Sequence, residues 1–214
     1  MYEVIVFDLD GTLLDTLADL HASVNAALAK FSFPSRTKDE VRSFVGNGIS
    51  MLMQRAIGKK TPLFEEVLAE FKTHYGAHCM DETRPDAGIL EVLKALKARG
   101  VKTAVVSNKA DFAVKKLAEK YFDGLLLEAV GEDEEHGIRK KPAPDSLFSV
   151  LEKLGASKAK TVYVGDSEVD IQTAQNAGVD CISVTWGFKD REFLIENGAT
   201  LLIDTPEQIL KYCI

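Results

Sequence analysis

The chain has 214 residues, 46% hydrophobic and 28% charged, enough apolar material for a packed core in one large domain or one domain with a smaller insert. Its 26 Lys and Arg stand against 33 Asp and Glu, and the resulting net charge of −7 argues against nucleic acid and anionic membrane as main partners. It leaves room for a small anionic substrate, because a local cation can dominate one pocket.

The N-terminus has no basic segment followed by an apolar stretch, so no signal peptide is expected. Apolar runs are too short for a membrane span. Cys79, Cys181 and Cys213 are odd in number and far apart, which fits neither a disulfide framework nor a metal pattern; a reducing cytoplasm is the simplest setting.

The first element is Val4–Phe7, a short apolar run that reads as a buried strand. Leu17, Leu20, Val24, Leu28 and Phe31 then step at helical intervals. Thr37-Lys38-Asp39-Glu40 fits a capping box ahead of Val41, Phe44 and Val45. Gly46-Asn47-Gly48 interrupts, Ile49–Ile57 resumes a helix, and Thr61-Pro62 opens another carrying Phe64, Val67, Leu68 and Phe71. No convincing strand occurs between about residues 16 and 80, so a small all-helical unit is expected there.

Beyond it, strands and helices alternate. Ile89, Val92, Leu93 and Leu96 form a helical stripe closed by Gly100. Strands are expected at residues 101–106 and 125–130, a helix at Asp145–Leu154, a strand at 161–164, a helix at 167–177 and strands at 181–184 and 200–203. Thr205-Pro206 opens a last helix with an N-cap and a proline in first position. The pattern predicts an α/β fold, a Rossmann-like parallel sheet core of residues 1–15 and 81–214, with the helical unit of residues 16–80 inserted after the first strand.

In open α/β sheets, ligands bind beyond the carboxyl ends of the strands. Here those ends carry Asp8 and Asp10, then Ser107-Asn108, then an acidic loop leading to Lys141-Pro142, then Gly165-Asp166-Ser167-Glu168-Val169-Asp170. Two carboxylates at ~4 Å repel by about 4 kcal/mol at an effective dielectric of 20. A hard cation such as Mg²⁺, held by carboxylates and substrate phosphate oxygens, can offset that repulsion.

DLDGT with SN, K-P and GDSEVD, in that order, resembles the haloacid dehalogenase superfamily, specifically its phosphatases with a helical cap inserted after the first motif. The resemblance spans essentially the whole chain. It implies that Asp8 is the nucleophile that becomes an aspartyl phosphate, and that Asp10 protonates the leaving oxygen and then activates water. It implies phosphate binding by Thr12, Ser107, Asn108 and Lys141. Mg²⁺ is implied at Asp8, Asp10 (through its backbone carbonyl) and Asp166, with Asp170 in or near the second layer of ligands.

The stretch from Phe44 to Gly58 looks like the cap segment of phosphoglycolate phosphatases, and Gly46, Asn47 and Gly48 precede a helix whose N–H groups favour an anion. A substrate carboxylate at those three residues is one reading; a tight interhelical turn is the other. The leading substrate is 2-phosphoglycolate, with pyrophosphate, nucleoside monophosphates and other small phosphomonoesters open. The expected partner is a small phosphorylated metabolite, and the expected state monomer or homodimer.

Sugar phosphomutases of the β-phosphoglucomutase type resemble DxDGV rather than DGT and carry a cap histidine where Leu20 stands here, with His21 one place off. Dehalogenases usually lack the equivalent of Asp10. Phosphonatases need a cap lysine, for which Lys38 is available without a supporting motif. A phospho-receiver domain is shorter and has no insert, and a regulatory relative without turnover would not need every motif position filled. His21, His74, His78 and His136 show no ligand spacing and read as structural or exposed, and Trp186 reads as packing.

Overall fold

The computed structural model describes residues 1–133 and 137–213. Six strands, β1 (Val4–Phe7), β4 (Lys102–Ala110), β5 (Glu128–Glu132), β6 (Thr161–Gly165), β7 (Asp180–Val184) and β8 (Leu202–Ile203), form one sheet in the order β5-β4-β1-β6-β7-β8. Every strand pair in it is parallel.

β1 lies between two neighbours, with Val4 opposite both Lys102 and Thr161, and all four of its side chains are buried. Ile5 and Phe7 face a layer containing α5 (Ile89–Ala98) and α6 (Asp111–Phe122), while Val4 and Val6 face α7 (Asp145–Leu154) and α8 (Glu168–Ala177). A central parallel strand covered on both sides must be apolar at every position, which is why β1 reads as an unbroken run.

Leu17, Leu20, Val24 and Leu28 of α1 (Leu17–Lys30) share a second core with α2 (Lys38–Phe44), α3 (Ile49–Ile57) and α4 (Phe64–His78). Thr37 and Glu40 make the reciprocal capping box that the sequence predicts for α2. The chain enters and leaves this helical unit through a two-stranded pairing, β2 (Leu14–Asp15) antiparallel to β3 (Arg84–Pro85).

Asp19 fastens that crossing. Its buried carboxylate accepts the backbone N–H of Glu82 and of Thr83, the latter at 2.9 Å. Asp19→Ala strands two N–H donors and is expected to cost about 1.5–3 kcal/mol, measured as a lower urea midpoint with an unchanged m-value.

Several boundaries differ from expectation. The third strand of the sheet is Glu128–Glu132 rather than 125–130, because Leu125 closes the turn after α6 and its carbonyl accepts the Thr103 hydroxyl. β4 continues through polar residues to Ala110, which apolar patterning does not mark. α4 starts at Phe64, not Thr61-Pro62, and the Thr61 hydroxyl accepts the Leu63 N–H in a turn ahead of it. The last helix is a 3-10 helix, Pro206–Lys211, capped by Thr205 as predicted. Apolar periodicity does not mark α6, because its buried Val114, Leu117 and Phe122 form a thin stripe among lysines. No described helix is long and apolar enough to cross a membrane.

Candidate active site

Asp8 follows directly on β1, its N–H donating to the Val164 carbonyl of β6. The next six residues curl over Leu9, whose carbonyl accepts from Thr12, Leu13 and Leu14. Gly11 makes the curl possible, with φ +76° and no room for a side chain: a Cβ there would sit 2.4 Å from Asp166 Oδ2. Asp166, at the end of β6, is buried and accepts the Phe188 N–H at 2.6 Å.

Lys141 lies beneath these acids. Its Nζ is 2.9 Å from Asp8 Oδ1, 2.7 Å from Asp170 Oδ1 and 3.0 Å from the Tyr163 hydroxyl. Burial alone would lower the lysine; Asp170 and Asp8 outweigh it and hold the ammonium charged. Burial pushes Asp8 up to about 6 against the pull of Lys141, with Asp170 and Asp10 adding to the rise. Burial, then Asp170 and Asp8, drive Asp166 well above the usual carboxylate range.

Ligand oxygens of Asp8, Asp166 and Asp170 lie within 4.8 Å of one another. Three carboxylates against the single ammonium of Lys141 leave two negative charges uncompensated, which suits one divalent cation and a set of hard oxygen donors. Asp170 has little to spare for a metal. Its Oδ1 takes Lys141, and its Oδ2 takes the Ser167 N–H at 3.1 Å and hydroxyl at 2.6 Å, so it fixes Lys141 and the start of α8.

Asp10 is held apart from this cluster. Both its oxygens accept from Lys109 Nζ, at 2.8 and 3.0 Å. Lys109 is missing from the sequence-based candidates, although it stands only two residues past Ser107 on the same strand.

Asp8, Asp10, Ser107, Asn108 and Asp166 line one cavity of about 40 Å³ under the helical unit. Leu20, Val45, Ile49 and Leu52 supply its apolar side. Leu20 thus takes the position where the mutase comparison asks for a histidine, while the His21 ring turns to the Arg36 carbonyl. Lys38 borders a different cavity, with Asp39, Arg42 and Asp86.

Three candidates behave differently from the sequence reading. Asn108 lines the cavity, but its side-chain amide donates to the carbonyls of Gly46 and Lys141 and accepts the Lys141 N–H, so it ties the loop at Gly46 to the lysine rather than offering a free donor. Thr12 is fully buried, its hydroxyl has no hydrogen-bond partner, and it is not among the cavity's lining residues. Asn47 does not line the cavity either; its Oδ1 accepts Arg55 Nη2 at 2.7 Å.

Gly46 and Gly48 do reach the cavity, but the protein's own Glu132 lies against the α3 N-terminus. A Cβ on Gly48, at φ +82°, would meet Glu132 Oε2 at 2.7 Å. The turn reading of Gly46-Asn47-Gly48 therefore accounts for these residues better than a substrate carboxylate does.

His74 and His78 contact Ser23 and Asp81 and do not line the cavity, and His136 is outside the described residues. Trp186 Nε1 donates to the Thr12 carbonyl, bracing the motif loop.

The family model described as haloacid dehalogenase-like hydrolase matches residues 5–184. Among curated relatives, the chain is 33% identical over 220 residues to the phosphoglycolate phosphatase of Pseudomonas syringae pv. syringae, covering 99% of this chain and 80% of that one. It is 32% identical to the phosphoglycolate phosphatase of Haemophilus influenzae, covering 98% and 97%. Among solved structures, a candidate phosphoglycolate phosphatase from Lactobacillus delbrueckii subsp. bulgaricus superposes with a TM-score of 0.93 at 38% identity, covering 100% of this chain and 98% of the other.

Proposed function

The chain belongs to the haloacid dehalogenase-like hydrolase family, and from that premise we propose that it is a Mg²⁺-dependent phosphatase acting on a small phosphomonoester, 2-phosphoglycolate first. One observation carries the reading: two carboxyls of different environment, Asp8 and Asp10, face one cavity, each paired with its own buried lysine. We take residues 16–80 as the cap and residues 1–15 and 81–214 as the core.

Asp8 attacks phosphorus through a carboxylate oxygen and the bond from phosphorus to the leaving oxygen breaks. Asp10, in its acid form, gives its proton to that oxygen. Water then attacks the phosphoryl group on Asp8, Asp10 takes the water's proton, and Asp8 and inorganic phosphate are released. Lys141 and the Ser107 hydroxyl hold the phosphoryl oxygens, and Asp170 keeps Lys141 in place. Asp8, Asp166 and the Asp10 carbonyl are the residues for Mg²⁺, which supplies charge neutralisation on the transferring group.

The cavity lies under the helical unit, with Leu20, Val45, Ile49 and Leu52 on its apolar side, which supports a small leaving group. The curated relatives named phosphoglycolate phosphatase point the same way.

The test is phosphate release from 2-phosphoglycolate, ethyl phosphate, AMP, glucose 6-phosphate and pyrophosphate, with and without Mg²⁺. Fastest release from 2-phosphoglycolate, only with the metal, is expected. No release from any of them would overturn the reading.

A further inference from the structure

We infer that Lys109 and Tyr75 form the subsite for a carboxylate carried by the leaving group of the substrate. This rests on the phosphatase reading above and deepens it. Lys109 comes from β4 and Tyr75 from α4, so the subsite exists only where sheet and helical unit meet.

Both residues line the same cavity as Asp8, and both are almost fully buried, at 4% and 2% exposure. Lys109 Nζ lies 4.7 Å from the centre of the Tyr75 ring. Two of its protons go to the oxygens of Asp10, and the third faces the Tyr75 side chain. The Tyr75 hydroxyl is buried with no hydrogen-bond partner.

A buried hydroxyl without an acceptor is unfavourable, and proteins rarely keep one where nothing answers it. Here it stands beside a cation that can donate once more. Two donors and one positive charge converging on an otherwise apolar wall are complementary to an anion with two acceptor oxygens. On the phosphatase reading above, Lys141 and Ser107 serve the phosphoryl group, so the anion at Lys109 and Tyr75 is the substrate's own carboxylate. The α3 N-terminus does not compete for it, because Glu132 lies against Gly48.

Tyr75→Phe tests this. The lost hydroxyl has only Lys109 beside it and makes no hydrogen bond of ordinary geometry, so the variant is expected to melt within a degree or two of wild type, which separates recognition from a structural role. The ratio of kcat/KM for 2-phosphoglycolate to that for ethyl phosphate is expected to fall about tenfold or more, chiefly through KM, as for loss of one hydrogen bond to a charged group. Competitive inhibition by glycolate is expected to weaken in parallel. Lys109→Arg is expected to lower the same ratio less than Lys109→Met.

An unchanged ratio in Tyr75→Phe, or a lower melting temperature with equal losses on both esters, overturns the subsite. So does a wild-type enzyme with no preference for the carboxylate, and that result leaves the phosphatase reading standing. Failure of wild type to release phosphate from either ester overturns both.

Discussion

Asp8→Asn is expected to lower turnover by ~10⁴-fold or more while the protein keeps or gains thermal stability. The amide matches the carboxylate in shape but is no nucleophile, so the step that forms the phosphoryl intermediate is lost rather than slowed by misplacement. The stability side follows from charge. Asp8 is one of three buried carboxylates that share a single ammonium, and its proton affinity is raised mainly by burial. A neutral group there removes repulsion from Asp170 and Asp10, and Lys141 retains Asp170 at 2.7 Å. Phosphate release and a melting curve on the same sample check both halves. A variant that turned over at the wild-type rate would exclude Asp8 as nucleophile, and an acid quench of wild type during turnover should leave phosphate on the peptide containing Asp8.

The second large effect concerns the metal. Chelation is expected to abolish turnover, and the metal-free protein is expected to lose stability as pH rises from about 4 to 6. Asp8 has a higher pKa folded than unfolded, about 6 against 3.8, so in that window the native state binds more protons than the unfolded one. Stability then falls with rising pH, the reverse of a carboxylate in a favourable salt bridge. Asp166, shifted in the same direction, extends the decline to higher pH.

A divalent cation compensates the two unmatched charges, so Mg²⁺ should stabilise the protein strongly at pH 7.5 and weakly at pH 5. At a hundredfold excess over Kd the gain is about 2.7 kcal/mol, or roughly 5–10 °C in Tm for a chain of this size. Thermal melts at the two pH values, with EDTA and with Mg²⁺, measure it. Identical melts in all four conditions would remove the cation from this cluster.

The sequence alone was enough for whatever is local or periodic. The unbroken apolar run of β1 requires cover on both faces, which calls for a parallel sheet between helical layers. The Thr37–Glu40 capping box is written within four residues and forms as written. Asp8, Asp10 and Asp166 could be proposed because each stands just past the carboxyl end of a strand, and parallel strands bring those ends to one edge.

Other features depend on pairings between segments far apart in the chain, and no short-range pattern carries them. Asn108 looks like one more polar residue after a strand; that it ties Gly46 to Lys141 depends on where two distant loops meet. Gly46-Asn47-Gly48 reads equally as a carboxylate site before a helix or as a tight turn until Arg55 is found on Asn47 and Glu132 beside Gly48. Tyr75, one turn past Phe71, continues a helical stripe that periodicity marks only as buried. Periodicity records which face of a helix is buried but not what that face is buried against, and the contact with Lys109 is made only when the helical unit folds down on the sheet.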